Sequence, residues 1–177
     1  MAHPDAIELL LKDAELTRSW AEFNTEWDEI ERLLFVIFDS LVEDDPGATQ
    51  AIFFSQTSHA ARRSMVAALA EYVLRHKHGR HDKLKNILNR VRARSDARNN
   101  FTHGLWLSHA TGQGNEVIRV AASTNIYLAR AYSKPKLKRL ASDMKDTRLA
   151  LAALAESFSQ VKFEQRERLS NAGIHPS

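Results

Sequence analysis

The chain has 177 residues, a formal charge of +3 and no cysteine. That length suits one domain burying about two-thirds of the surface its unfolded form exposes, without disulfides or a structural metal. Lack of thiols excludes a disulfide framework, thiolate zinc sites and a cysteine nucleophile, in keeping with a reducing compartment.

The opening MAHPDAIELLLKDAELTRSW meets acidic residues within its first few positions and has neither a long apolar run nor a small-residue cleavage site. It does not read as a secretion signal. No segment reaches the ~18 uninterrupted apolar residues of a membrane span, so a soluble, cytoplasmic chain without membrane association is expected. Pro4 and Asp5 mark the start of a first helix ahead of Ile7, Leu10 and Leu11. From Trp20 the apolar residues fall at Phe23, Trp27, Ile30, Leu34, Ile37 and Leu41. This three-four spacing keeps one stripe of a long helix against one partner.

EDDPG, residues 43–47, punctuates that helix, and ATQAIFF reads as a short apolar turn. SHAARRSMVAALAEYVLRH predicts a further helix with Met65, Leu69, Tyr72 and Val73 on its inner side. A loop around Gly79 leads to the next helix, where Leu84, Ile87, Leu88 and Val91 share a face and Gly104 is placed to end it. LWLSHA and EVIRVAAS flank the turn-rich TGQGN as a β-hairpin, and NIYLARAYS supplies a candidate third strand. The last helix starts near Lys134 and Pro135 and carries Leu137, Leu140, Met144, Thr147, Leu151, Leu154, Phe158 and Val161 at three-four spacing. Seven of those eight positions are apolar, which calls for a helix partner or a second subunit. The fold expected is all-α: one domain over residues 1–177, an antiparallel helical bundle of four to five helices, with a small β-hairpin at about 105–133 before the last helix and a frayed tail at about 170–177.

Charge is distributed unevenly. From Arg75 to Arg98 there are nine Lys or Arg against two acids, Asp82 and Asp96, whereas the first 45 residues lean acidic. A solvated helix face or a polyanion-binding surface both fit such a run. On the second reading Arg75, Lys77, Arg80 and Arg94 are phosphate contacts.

The informative stretch is RARSDARNNFTHGLW, residues 92–106. At 100° per residue, the apolar stripe of Leu84, Leu88 and Val91 continues through Ser95, Arg98 and Thr102. A guanidinium on the buried side of a helix needs a carboxylate, a subunit boundary or an anionic ligand, because taking a charge out of water costs several kcal/mol. His103 follows about 140° round and about 7.5 Å along the axis, with Asn99 between them in projection. Arginine grips phosphate oxygens through its planar fork and stabilises the added charge of a pentacoordinate transition state. Histidine moves protons near neutral pH, and RNA brings its own nucleophile in the 2′-hydroxyl. No cofactor is required.

RNNFTH, Arg98 to His103, resembles the signature of HEPN-domain proteins: arginine, a polar residue such as asparagine, then histidine after a short gap. The order of elements is similar too, with the motif near a helix end, HGLW leading into a hairpin and a long closing helix. The resemblance implies a homodimer with two motifs facing each other as a metal-independent endoribonuclease. It further implies RNA and an antitoxin-like protein as partners, in a toxin–antitoxin or phage-defence setting. Arg98, Asn99 and His103 would then be catalytic. A catalytically silent interaction module of the same fold, and a nucleotide or anion sensor using Arg98, stay open beside it. So does a purely structural role, with Arg98 in an interhelix salt bridge and His103 capping the helix.

Other groupings carry less. His76, His78 and His81 lack a cysteine or glutamate to complete a metal site, and their basic neighbours oppose a cation. Adjacent Ser58 and His59 do not face each other on a helix. GQG lies between strands and reads as a turn, and Trp20 and Trp27 read as core or subunit interface.

Overall fold

Where apolar residues recur every three or four positions, the chain is helical. The computed structural model describes residues 14–42, 46–102, 105–111, 114–120, 130–132 and 134–171. Among these are five helices: α1 (Ala14–Leu41), α2 (Pro46–Ser55), α3 (His59–Val73), α4 (His78–Thr102) and α5 (Lys134–Asn171). They form the helical bundle that the stripes demand, and its class is all-α. Between α4 and α5 lie β1 (Leu105–Thr111), β2 (Gly114–Val120) and β3 (Arg130–Tyr132), antiparallel in the order β1-β2-β3, with Leu105 opposite Val120 and Val117 opposite Tyr132. The expected opening helix before residue 14, Gly104 and the tail from residue 172 lie outside the described residues.

Two compact units divide the chain, Asp28–Arg92 with Thr147–Ser177, and Met1–Trp27 with Ala93–Asp146. In the first unit Ile30, Leu34 and Ile37 of α1, Phe53 of α2, Val66 of α3 and Leu151 of α5 are fully buried. Phe53 is the aromatic hub: its ring centroid lies 5.5 Å from Phe35, 5.4 Å from Phe38 and 5.1 Å from Phe54. Arg62 of α3 covers this cluster, its guanidinium 5.2 Å from the Phe54 centroid, while its Nη1 meets Glu31 Oε2 at 3.3 Å. His59 Nδ1 reaches the other Glu31 oxygen at 3.1 Å, so one carboxylate of α1 ties down the first turn of α3. In the second unit, Phe23 and Trp27 of α1 and Leu137, Ala141 and Met144 of α5 are buried.

Three local expectations are corrected. ATQAIFF is not a turn but part of α2, which begins at Pro46. Proline suits a first helical position because its missing N–H has no intrahelical partner there, and burial of Thr49 and Phe53 keeps the segment helical. The inner side of α3 is Val66 and Ala70, followed by Leu74, whereas Tyr72 is 71% and Val73 40% exposed. An alanine-rich helix carries two weak stripes, and the one with the small residue permits closer helix contact. Gly79 belongs to the first turn of α4 rather than to a loop, with the Lys77 carbonyl accepting from the Arg80 N–H at 2.9 Å and the His81 N–H at 3.1 Å. At the other boundary, Ser58 Oγ accepts from the Ala61 N–H at 3.1 Å as the N-cap of α3.

Glu29 and Arg32 make a two-pronged pair on α1, at 2.8 and 2.6 Å. The Arg32 hydrogen bond holds the Glu29 carboxyl below its ordinary range. Its small contribution is present above the unfolded glutamate pKa and is lost as pH falls through the lowered folded value, as linkage requires for a depressed carboxyl. A Cβ at Gly79 would meet nothing within 4 Å. Gly79→Ala is therefore expected to raise stability by about 0.4–1 kcal/mol by restricting the unfolded chain, measured as a higher urea midpoint at unchanged slope.

Candidate functional site

The polar end of α4 is built by its own periodicity. Leu84, Leu88 and Val91 are buried, Ser95 at the next turn is 6% exposed, and Arg98 follows on the same stripe. Arg98 is half-buried, its Nε is buried, and its guanidinium carbon sits 5.8 Å from the centroid of Trp27 of α1. Trp27 itself is 2% exposed, so the indole is a fixed platform. Guanidinium is weakly hydrated and planar and is attracted to the indole face. Such a contact works through charge rather than through the N–H fork.

Asn99 is exposed on the neighbouring face, about 100° from Arg98. Helix α4 ends at Thr102, and His103 lies outside the described residues. The structure thus places two members of the motif, an inward arginine and an outward asparagine, in the last turns of one helix.

Arg94, one turn earlier, is in an interhelix ion pair: its Nη1 donates to Asp143 Oδ2 of α5 at 2.9 Å, both side chains part-buried. The other candidate phosphate contacts gather at the opposite end of α4. Arg75 is exposed, its guanidinium 5.5 Å from the Tyr72 ring, and Lys77 and Arg80 line an open hollow with His78, Gly79 and Lys83. About five helical turns separate Arg80 from Arg98 along α4.

Sequence reasoning missed two participants. Trp27 was legible as buried but not as the seat of Arg98, because periodicity names a face and not the neighbour across it. Asp143 gave a faint signal as an acid beside the buried Ala141 and Met144. Among the described residues, no group of three His, Asp or Glu gathers to hold a metal ion, and no helix is long and apolar enough to cross a membrane. Comparison with protein-family models gives no match, and comparisons with curated proteins and with solved structures give none either.

The Arg94–Asp143 pair yields a direct test. Asp143→Ala removes the acceptor from a part-buried cation and should cost about 1 kcal/mol, discounted for the exposure of both groups. The double variant Arg94→Met, Asp143→Leu should recover most of that loss in thermal unfolding.

Proposed function

We propose that this chain is a HEPN-like RNA-binding protein, a metal-independent endoribonuclease acting at a homodimer interface in a cytoplasmic toxin–antitoxin or phage-defence setting. The observation that carries the reading is the Arg98 guanidinium held at the polar end of the α4 stripe against Trp27, with Asn99 beside it. The strand segment between α4 and α5 is, on this reading, the hairpin inserted before the closing helix, and an antitoxin-like protein is the natural partner of the dimer.

In the proposed reaction the RNA 2′-oxygen attacks the adjacent phosphorus, the bond from phosphorus to the 5′-oxygen breaks, and a 2′,3′-cyclic phosphate and a 5′-hydroxyl result. Arg98 binds the non-bridging oxygens, where charge accumulates in the transition state. His103 takes the 2′-hydroxyl proton or returns one to the leaving oxygen. Asn99 orients the phosphate or the imidazole. A second reading, an interaction module of the same fold without catalysis, is favoured by the exposed apolar side chains Ile52, Phe54 and Phe163.

Incubation of the purified protein with mixed RNA in excess chelator should give fragments ending in 2′,3′-cyclic phosphate. Arg98→Ala should slow cleavage about 10²–10³-fold and His103→Ala about 10²–10⁴-fold. RNA left intact at high protein concentration would end the endoribonuclease reading and leave the interaction module.

A further inference from the structure

The unit Asp28–Arg92 with Thr147–Ser177 holds a second basic feature that the Arg98 site does not use. Helices α3 and α4 form a hairpin in which His81 Nε2 and Glu71 Oε2 lie 2.8 Å apart. Two turns back along α3 from Glu71 is Arg63, and two to three turns forward along α4 from His81 are Asn89 and Arg92. Antiparallel neighbours in this register bring Arg63 and Ser64 opposite Asn89 and Arg92, with Lys85 between them and the ion pair. All of these residues line one groove of about 260 Å³.

The groove exists because α3 is short of bulk on this face. Its floor is Ala67 and Ala70 from α3 and Leu84 and Leu88 from α4. Ala70, Leu84 and Leu88 are buried, and Ala67 is exposed. One long side chain at Ala67 would fill the space.

Charge is sorted along the groove. The lining carboxylate, Glu71, sits at one end, tied to His81, while Arg63, Lys85 and Arg92 occupy the middle and the other end. Like charges gathered around a concave, partly apolar surface raise a positive potential that a bound anion relieves. Two guanidinium forks match the tetrahedral oxygens of phosphate, and an ammonium adds a point charge. The apolar floor suits a carbon skeleton, which a bare inorganic anion lacks. The volume lies just under the ~300 Å³ at which small-ligand pockets begin, a size for one phosphorylated unit rather than a dinucleotide.

We propose that the α3–α4 groove binds a phosphate ester, with the phosphate held by Arg63, Lys85 and Arg92 and the organic body lying on Ala67, Ala70, Leu84 and Leu88. This site is independent of Arg98 and of the endoribonuclease reading. The ester is either a free small molecule or one nucleotide of an RNA chain, and the two sources separate experimentally.

The full chain is titrated by calorimetry with inorganic phosphate, adenosine monophosphate and a uridine decanucleotide carrying 2′-O-methyl groups so that it resists cleavage. Two variants accompany it. Arg92→Glu reverses one charge, and Ala67→Leu fills the groove with no change of charge at an exposed helical position where leucine is nearly as good a helix former as alanine. Circular dichroism with an unchanged melting temperature certifies the fold of each. The expected result is saturable binding of the monophosphate, weaker for inorganic phosphate, lowered at least tenfold by Arg92→Glu and by Ala67→Leu. Binding of the oligonucleotide alone, with the same sensitivity to both variants, supports the site and assigns the ester to an RNA backbone. No binding of any probe at millimolar concentration, or binding indifferent to Ala67→Leu, overturns the proposal, since diffuse surface charge would not sense an added leucine.

Discussion

The positive charge of Arg98 at the inward edge of α4 is the constraint on which the functional account depends. Placing a guanidinium where Leu84, Leu88 and Val91 set the face is costly unless its surroundings compensate, because desolvation of a charge exceeds what most single contacts return. Trp27 supplies part of that compensation. Its indole is held by its own burial, and a cation–π contact at a half-buried site contributes on the order of 0.5–2 kcal/mol. The arginine is thereby restricted in position. A residue held this way has lost much of its rotamer freedom before any ligand arrives, so less is lost on binding.

Among the described residues, ion pairs also join helices. Glu31 answers both His59 and Arg62, Asp143 answers Arg94, and Lys162 of α5 donates to Asp39 of α1 through both its backbone carbonyl and its carboxylate. These pairs join helices distant in sequence and fix their register. The alanine-rich inner face of α3 does the complementary job by size, letting α4 approach and leaving a groove where a larger side chain would have stood.

Long stripes were legible from sequence because many positions vote together. Phe23, Trp27, Ile30, Leu34, Ile37 and Leu41 are all buried, as are Leu137, Met144, Thr147, Leu151, Leu154 and Phe158, so the spacing identified the inner faces of α1 and α5. Trp20, at the outer end of its stripe, is 39% exposed. Where residues are small the vote fails, and the inner side of α3 shifted to Val66 and Ala70. Helix α2 was hidden because Pro46 and Gly47 signal a break equally well as a helix start. The motif was visible as a run of residue types, and the turn of Arg98 toward the apolar stripe followed from helix geometry. The identity of its neighbour did not, because contacts between α1 and α4 are set by three-dimensional packing that no local spacing encodes.

The most direct measurement is the side-chain Nε–H resonance of Arg98, followed by NMR in ¹⁵N-labelled protein as 2′-O-methyl RNA is added. The account predicts a saturable shift of that resonance with slower exchange of its proton, both absent when the RNA is replaced by an uncharged nucleoside. An Arg98 resonance that stays in place while RNA saturates the protein would contradict it, leaving this guanidinium a structural partner of Trp27 and nothing more.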